Sequence, residues 1–229
     1  MINYAKVVAL IPARGGSKSI VKKNIKDFCG KPLIYWNIAA LAKLSTHLQI
    51  IVSTDSQEIM TTVMGLGFDQ VSVHHRSDVN SSDTASTEAV MLEVIEDLDL
   101  DDDLCMILVQ CTSPLTQTGH FELGLQTYFN GSKDSVLSCV RTKRFFWNPD
   151  GTPLNYDFRN RPRRQDFDGL FMENGAFYIN KVERIASAKN RLSGTIGIIE
   201  MPDWTSVEID EPEDWGVAER AFKKYSSYL

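Results

Sequence analysis

The residues best suited to chemistry stand close together near the start of the chain, in Arg14-Gly-Gly-Ser-Lys-Ser-Ile-Val-Lys-Lys-Asn24. Adjacent glycines, Gly15 and Gly16, let backbone N–H groups approach anionic oxygens with no Cβ in the way. Around them the Arg14 fork and the ammonium groups of Lys18, Lys22 and Lys23 supply the positive charge that a triphosphate requires. The glycine spacings of the P-loop and of the dinucleotide-binding turn are absent, so residue pattern alone defines an anion-binding loop and no more. The bland alternative is a glycine turn bearing solvated lysines.

Near the other end, Ser206 to Asp210 reads as a strand, which points Glu208 and Asp210 to one face where they can share a cation. Asp210 also stands where it could cap a helix opened by Glu211-Pro212-Glu213, and the two roles are compatible. Asp99 to Asp103 is an acidic run read as a solvated connection, because clustered like charges repel. Arg159, Arg161, Arg163 and Arg164, with Gln165 and Asp166, form a basic cluster with three readings: a solvated patch, an interface salt-bridge set, or a clamp for a carboxylate or phosphate. His47, His74, His75 and His120 fit no motif, so no general base is assigned and the histidines are read as structural.

The elements that must position these groups follow from the apolar pattern. Val7 to Ile11 is unbroken apolar sequence, a strand buried on both faces that empties into the loop. Asn24 to Gly30 reads as a turn, Pro32 opens a helix reaching Leu41, and Gln49 to Asp55 is a second buried strand. Strand, helix, strand at this length is a βαβ unit with parallel strands and a right-handed crossover. Ligands in such sheets sit at the carboxyl ends of strands, which places Arg14 and Asp55 beside one crevice. Further along, Ser56 to Gly67 and Ser86 to Leu98 read as helices, Gln70 to His74 as a short strand, and Arg76 to Thr84 as a polar loop. Leu104 to Gln110 is the most apolar strand and should be central; it ends in Gln110-Cys-Thr-Ser-Pro-Leu115, an amide and two hydroxyls at a strand's carboxyl end. His120 to Phe129 reads as a helix and Ser135 to Arg141 as a strand. The character then changes, for Phe145-Phe-Trp-Asn-Pro-Asp-Gly151 couples an aromatic run to turn chemistry and predicts a hairpin or arm. Exposed aromatics on an arm point to a subunit interface. Met172 to Ile179 is a strand entered through Asn174-Gly175, and Thr195 to Met201 is another.

At 229 residues the chain suits one α/β domain, 1–229, with an inserted segment over 142–170. No apolar run approaches the roughly 20 residues that span a bilayer, and Lys6 precedes only a short apolar strand with no small-residue cleavage site after it. Neither a membrane partner nor a signal peptide is therefore expected. Cys29, Cys105, Cys111 and Cys139 form no Cys-x-x-Cys pair, which implies a reducing cytoplasm. A net charge of −6 argues against a nucleic-acid partner, so any anionic ligand must be held by local cations.

Ile11-Pro-Ala-Arg-Gly-Gly-Ser-Lys18, with Lys23-Asn24 a few residues on, resembles the first motif of the cytidylyltransferases that activate sialic acid and related nine-carbon keto-sugar acids. The likeness continues in order through Val52-Ser-Thr-Asp55, Arg76 with Asp83, Gln110 to Leu115, Arg163-Arg-Gln-Asp166, Glu173-Asn-Gly-Ala-Phe-Tyr178, and Glu208-Ile-Asp210 followed by Glu-Pro-Glu-Asp, which together span almost the whole chain. Four positions depart from the family pattern: Ser19 for the usual Gly, Val21 for a frequent Pro, Cys111 for Pro and Thr116 for a frequent Arg.

The resemblance implies a Rossmann-like three-layer α/β/α fold with a mixed, mostly parallel sheet, of the nucleotide-diphospho-sugar transferase type, and a protruding dimerisation arm at 142–170. It implies CTP and a 2-keto-3-deoxy sugar acid (N-acylneuraminate, legionaminate or pseudaminate) as substrates, Mg²⁺ or another divalent cation as cofactor, and a homodimer. Arg14, Lys18 and Lys23 would neutralise the departing pyrophosphate. Ala13, Arg14, Gly15, Gly16, Asn24, Arg76, Ser82 and Asp83 would contact the nucleotide; Gln110, Thr112, Ser113, Arg164, Gln165 and Asn174 the sugar acid; Asp210 and Glu208 the metal. A nucleotide-sugar glycosyltransferase would carry its acid-x-acid pair midway along the chain, whereas this pair lies near the C-terminus. A non-catalytic nucleotide binder could dispense with Arg14 or Lys23, and both are present.

Overall fold

The computed structural model describes residues 2–45 and 47–225; residues 1, 46 and 226–229 of the expected 1–229 domain lie outside the described residues. Continuous apolar stretches form the middle of one sheet. β1 (Val7–Pro12) lies parallel between β4 (Gln49–Thr54) and β6 (Cys105–Val109), and β4 pairs in parallel with β5 (Val71–His75). Beyond β6 the sheet becomes mixed. β8 (Leu170–Lys181) runs antiparallel to both β6 and β7 (Ser135–Thr142), and β9 (Ile196–Met201) closes the edge parallel to β7. The seven-strand order is β5-β4-β1-β6-β8-β7-β9, with a separate hairpin of β2 (Asp27–Phe28) and β3 (Lys31–Pro32).

Helices cover both faces, which is what strands without polar alternation require. On one side α1 (Leu33–Ala42), α2 (Gln57–Met64) and α5 (Thr118–Phe129) press Ile34, Ile38, Ile59, Val63, Phe121 and Leu125 against Ala9, Ile11 and Val52. On the other, α4 (Thr87–Asp97) and α6 (Val182–Ala188) bring Met91, Val94, Val182 and Ile185 onto Val8, Leu10 and Met106. Each fully buried side chain of this kind is worth about 1.5–3 kcal/mol relative to exposure. The C-terminal α7 (Pro212–Tyr225) packs Trp215 and Phe222 on Phe28, tying the far end of the chain to the segment after the glycine loop. This is the expected three-layer architecture with a mixed, mostly parallel sheet.

Local expectations fail in four places. The polar stretch 76–84 contains a short helix, α3 (Asp78–Ser81), because Ser77 caps it by accepting from the Asn80 N–H. Asn174-Gly175 does not enter a strand; it sits inside the twelve-residue β8, facing the register shift between Leu137 and Cys139, with Gly175 at φ 64°. Ser206 to Asp210 is not a strand: a helical turn at Asp203–Ser206 runs into extended chain held by one backbone bond, Ile209 N–H to the Thr112 carbonyl at 2.9 Å. Nor does Asp210 cap α7. Its side chain meets Lys23 instead, and Asp214 folds back from the first turn, its Oδ2 accepting from the N–H groups of Asp210 at 3.0 Å and Glu211 at 2.8 Å. The helix α6 had no counterpart in the pattern reading.

Between β7 and β8 the aromatic run forms a compact arm. Trp147 and Pro153 form a single antiparallel bridge, and the Phe145 ring lies 4.3 Å from that of Tyr156 and 4.9 Å from that of Phe167. Trp147 and Phe158 remain 49 % exposed, so the rings hold the arm together without being covered by the sheet.

Candidate active site

The carboxyl ends of β1, β4 and β6 open onto one crevice. Gly15 donates its N–H to Asp55 Oδ1 at 2.8 Å, which pins the start of the loop to the end of β4. A Cβ at Gly15 would lie 2.8 Å from Ser56 Cβ, so the close approach requires glycine, while Gly16 has open space on the corresponding side. Ala13 is buried and donates to the Ser53 carbonyl, continuing the β1–β4 pairing into the loop. Asn24 reaches back to donate to the Arg14 carbonyl at 3.0 Å, closing the loop on itself.

One half of the crevice lies over β5 and the start of α4. Arg14 pairs with Asp83 at 2.8 Å and also donates to the Ser82 carbonyl, and Lys18 meets the other Asp83 oxygen at 2.6 Å. Lys18 and then Arg14 hold the Asp83 carboxyl below the usual range. Arg76, only 4 % exposed, donates to the Ser53 carbonyl at 2.7 Å and to Ser53 Oγ at 3.3 Å. Burial holds its guanidinium below the ordinary arginine value, Asp55 and Glu93 act against that at a distance, and Arg14 adds to it. Among the described residues no carboxylate bonds Arg76. A buried cation without a bonded anion is a costly arrangement that a bound anion relieves.

The other half is formed by Gln110, Cys111, Thr112, Glu208 and Asp210, and Pro12, Asn24 and Thr87 line both halves. Lys23 joins them: its side chain is 13 % exposed, and Nζ donates to the Ile209 carbonyl at 2.8 Å and pairs with Asp210 at 3.3 Å. Ser19, at one of the departures from the family pattern, donates to the Asp210 carbonyl. Glu208 packs against Gly175 and Gln110 so closely that any Cβ at 175 would overlap its carboxylate. Burial first, then Asp210 and Glu173, push the Glu208 carboxyl up. An oxygen-only pair with one carboxylate short of positive charge fits a hard divalent cation, which takes one or two protein carboxylates and completes its shell with phosphate oxygens and water.

Not all expected contacts converge. Ser113 and Asn174 are each 1 % exposed and line neither half; Asn174 donates weakly to Met201 Sδ and Thr205 Oγ1, and Asn174 Oδ1 and Ser113 Oγ have no partner. Arg164 and Gln165 lie on the exposed arm, where Arg164 lines a separate basic cleft with Arg141, Lys143 and Arg144. Cys111 and Thr116 are buried; the Cys111 thiol is pushed up to about 12 by burial, and Thr116 bonds back to the Ser113 carbonyl. Among crevice residues, Asn80 and Thr87 escaped the sequence reading, and so did the linkage beneath them of buried Ser53 and His74, half-buried Glu93 and exposed Asp97. His74, Glu93 and Asp97 could place three ligand atoms around a metal, but hydrogen bonds to Ser53, Ser77 and Asn80 and between His74 and Asp97 already occupy them.

The sheet order, the glycine–cation loop and the crevice at the strand ends define an α/β nucleotidyltransferase fold. Two solved structures share it: CMP:2-keto-3-deoxy-manno-octonic acid synthetase complexed with CTP, at TM-score 0.68 and 18 % identity over 97 % of this chain and 99 % of that one, and 4-diphosphocytidyl-2C-methyl-D-erythritol synthase from Anaerococcus prevotii, at TM-score 0.68 and 12 % identity over 95 % and 96 %. Similarity at that identity carries the fold alone. The chain belongs to the cytidylyltransferase family, whose profile, described as Cytidylyltransferase, matches residues 8–192. N-acylneuraminate cytidylyltransferase B of Danio rerio is 37 % identical over 227 residues, 96 % of this chain and 52 % of the relative. A pseudaminic acid cytidylyltransferase of Campylobacter jejuni is 28 % identical over 183 residues, 76 % of this chain and 77 % of the relative. The chain thus spans about half the length of the N-acylneuraminate relatives it matches. The resemblance drawn from the motifs holds at the level of the family.

Proposed function

We propose that this chain transfers CMP from CTP to the anomeric hydroxyl of a nine-carbon 2-keto-3-deoxy sugar acid, releasing pyrophosphate. The observation that carries the reading is the meeting of Lys23 with Asp210 at the half of the crevice that Glu208 also lines, which sets a phosphate-binding cation beside a metal-binding acid. The anomeric oxygen attacks the α-phosphorus as the bond to the pyrophosphate oxygen breaks, so charge builds on the leaving group. Arg14, Lys18 and Lys23 face that charge, and in-line placement with charge neutralisation is how such a transfer is accelerated. Glu208 and Asp210 would hold Mg²⁺, which when bound adds Lewis-acid neutralisation of triphosphate oxygens.

The nucleotide takes the half lined by Arg14, Arg76 and Ser82, and the sugar acid the half lined by Gln110 and Thr112. N-acylneuraminate is the first substrate to test, because the two Danio rerio relatives bearing that name match at 37 % and 35 % identity against 28 % for the pseudaminic acid relative, while others of that name match at 27 %. The exposed rings of the 142–170 arm form a homodimer contact, and four free thiols suit a reducing cytoplasm. Among the described residues no helix is long and apolar enough to cross a membrane.

The test is pyrophosphate release with CTP, Mg²⁺ and a panel of N-acylneuraminate, legionaminate and pseudaminate, omitting each component in turn. Release that needs both CTP and one sugar acid supports the reading. Release from CTP alone, or CTP binding without release across the panel, would overturn it.

A further inference from the structure

Directly beneath the nucleotide half of the crevice, four polar side chains form a hydrogen-bond chain. Ser53 on β4 and His74 on β5 are register partners across the parallel pair, and His74 and Arg76, two residues apart, point to the same side. Arg76 Nε donates to Ser53 Oγ at 3.3 Å, Ser53 Oγ lies 3.1 Å from His74 Nδ1, and His74 Nε2 lies 3.0 Å from Asp97 Oδ2 on α4. Ser53 is fully buried and His74 is 5 % exposed, so neither can look to solvent for a partner.

Donor and acceptor inventories orient the chain. The Asp97 carboxylate only accepts, so His74 Nε2 carries the hydrogen between them. Nδ1 of that tautomer is an acceptor, and it receives the Ser53 hydroxyl hydrogen, leaving Ser53 Oγ free to accept from Arg76. With both ring nitrogens protonated, Ser53 would accept twice and its own hydrogen would be buried without an acceptor. The order Arg76 to Ser53 to His74 to Asp97 therefore gives each bond of the chain one donor and one acceptor, with each donor pointing the same way. One turn earlier on α4, Glu93 accepts from the Ser77 N–H at 2.6 Å and from the side chain of Asn80, which lines the crevice. The same face of α4 thus fixes both the floor and the wall of the nucleotide half.

A guanidinium has five N–H donors. Two are spent on Ser53, and the crevice lining is where the rest can act. Resting on the nucleotidyl-transfer reading above, we propose that His74 is a positioning residue for CTP: through Ser53, and anchored by Asp97, it locks the Arg76 guanidinium in the orientation that receives the nucleotide. His74 touches neither substrate nor reacting atoms. Its effect reaches CTP only by way of Arg76.

The experiment measures CTP affinity by calorimetry for the wild-type protein and for His74→Phe, Ser53→Ala, Arg76→Ala and the two doubles that combine each with Arg76→Ala; melting temperature and the sugar-acid KM are read alongside. His74→Phe is expected to weaken CTP about tenfold and Ser53→Ala about fivefold, with the sugar-acid KM unchanged. In the Arg76→Ala background both effects should shrink to within about twofold, because residues acting through one group are non-additive. Should His74→Phe fail to fold, Ser53→Ala decides. Unchanged CTP affinity in a folded single variant, or full additivity with Arg76→Ala, would overturn the proposal while leaving nucleotidyl transfer intact. Absence of CTP binding by the wild-type protein would overturn both.

Discussion

The crevice and the arm both carry arginines, but they solve opposite problems. Arg76 is 4 % exposed and, among the described residues, its side chain bonds only Ser53, whereas the Arg163 side chain is 75 % exposed and already paired with Asp166 at 2.6 Å. In the crevice it is the buried charge of Arg76 that has no bonded acid among the described residues. On the arm Arg163 is met by Asp166 and the apolar surface is not covered: Trp147 and Phe158 stay half-exposed although they pack on each other and Tyr156 packs on Trp147. The contrast teaches that a region's unmet chemistry, rather than its composition, indicates what it binds, an anion in one case and apolar protein surface in the other.

The largest break to that contrast comes from Lys23. Lys23→Ala removes the cation that meets Asp210, and turnover should fall about 1,000-fold, at the upper end for loss of one donor to a developing charge. Pyrophosphate release checks the rate, and circular dichroism checks that the fold survives. A near-normal rate would take the loop out of the mechanism. Glu208→Gln comes next, with an expected loss of about 100-fold in turnover together with a gain in stability. Burial, Asp210 and Glu173 raise the Glu208 carboxyl, so its ionised form destabilises the ligand-free fold. A carboxyl whose folded pKa lies above its unfolded value costs stability fully above the folded pKa, and the cost vanishes as pH falls below the unfolded value. The melting temperature of Glu208→Gln should therefore exceed wild type by about 2–4 °C at pH 8, if the cost is about 1 kcal/mol, and the gap should close toward pH 4. A constant gap across that range would assign the gain to something other than charge.

How much of this could be read from residues alone depended on how local the cause was. Val7 to Ile11 and Leu104 to Val109 announce buried strands because every position is apolar, and the loop announces its cations because Arg14 to Lys23 are contiguous. Asp210 does not cap α7 because its side chain meets Lys23 while Asp214 folds back from the first turn onto the two N–H groups before the helix, a competition that spacing leaves open. Asn174 looked like a pocket residue and lies beneath the sheet's surface, since the register shift opposite it redirects β8. The His74 chain was invisible for another reason. It needs the register Ser53 opposite His74 and the placement of Asp97, 23 residues further on, at the end of a helix, and neither is encoded in local pattern.

On the arm, Trp147→Ala with Phe158→Ala should weaken self-association about 100-fold, since buried aromatics dominate the energy of such contacts. Sedimentation across a concentration series measures it, and turnover per folded protomer under monomeric conditions shows whether the crevice is complete without a second copy. A dimer that resists both substitutions would relocate the interface to another surface, such as the exposed Ile196 and Ile198 on the edge strand β9.

Arg163→Ala should do least. An exposed pair three residues apart gains little in water, costs side-chain freedom and is screened by salt, so its contribution is about 0–1 kcal/mol. Melting temperature should move by no more than about 2 °C and turnover by less than about twofold. The value of so small an effect is what its failure would mean. A tenfold fall in turnover with an unchanged melting temperature would show that Arg163 is not finished by Asp166, and that the arm, like the crevice, holds positive charge for an anionic substrate. In that event the double substitution on Trp147 and Phe158 and the single one at Arg163 should lower turnover together, and the two regions would be parts of one site joined across the dimer.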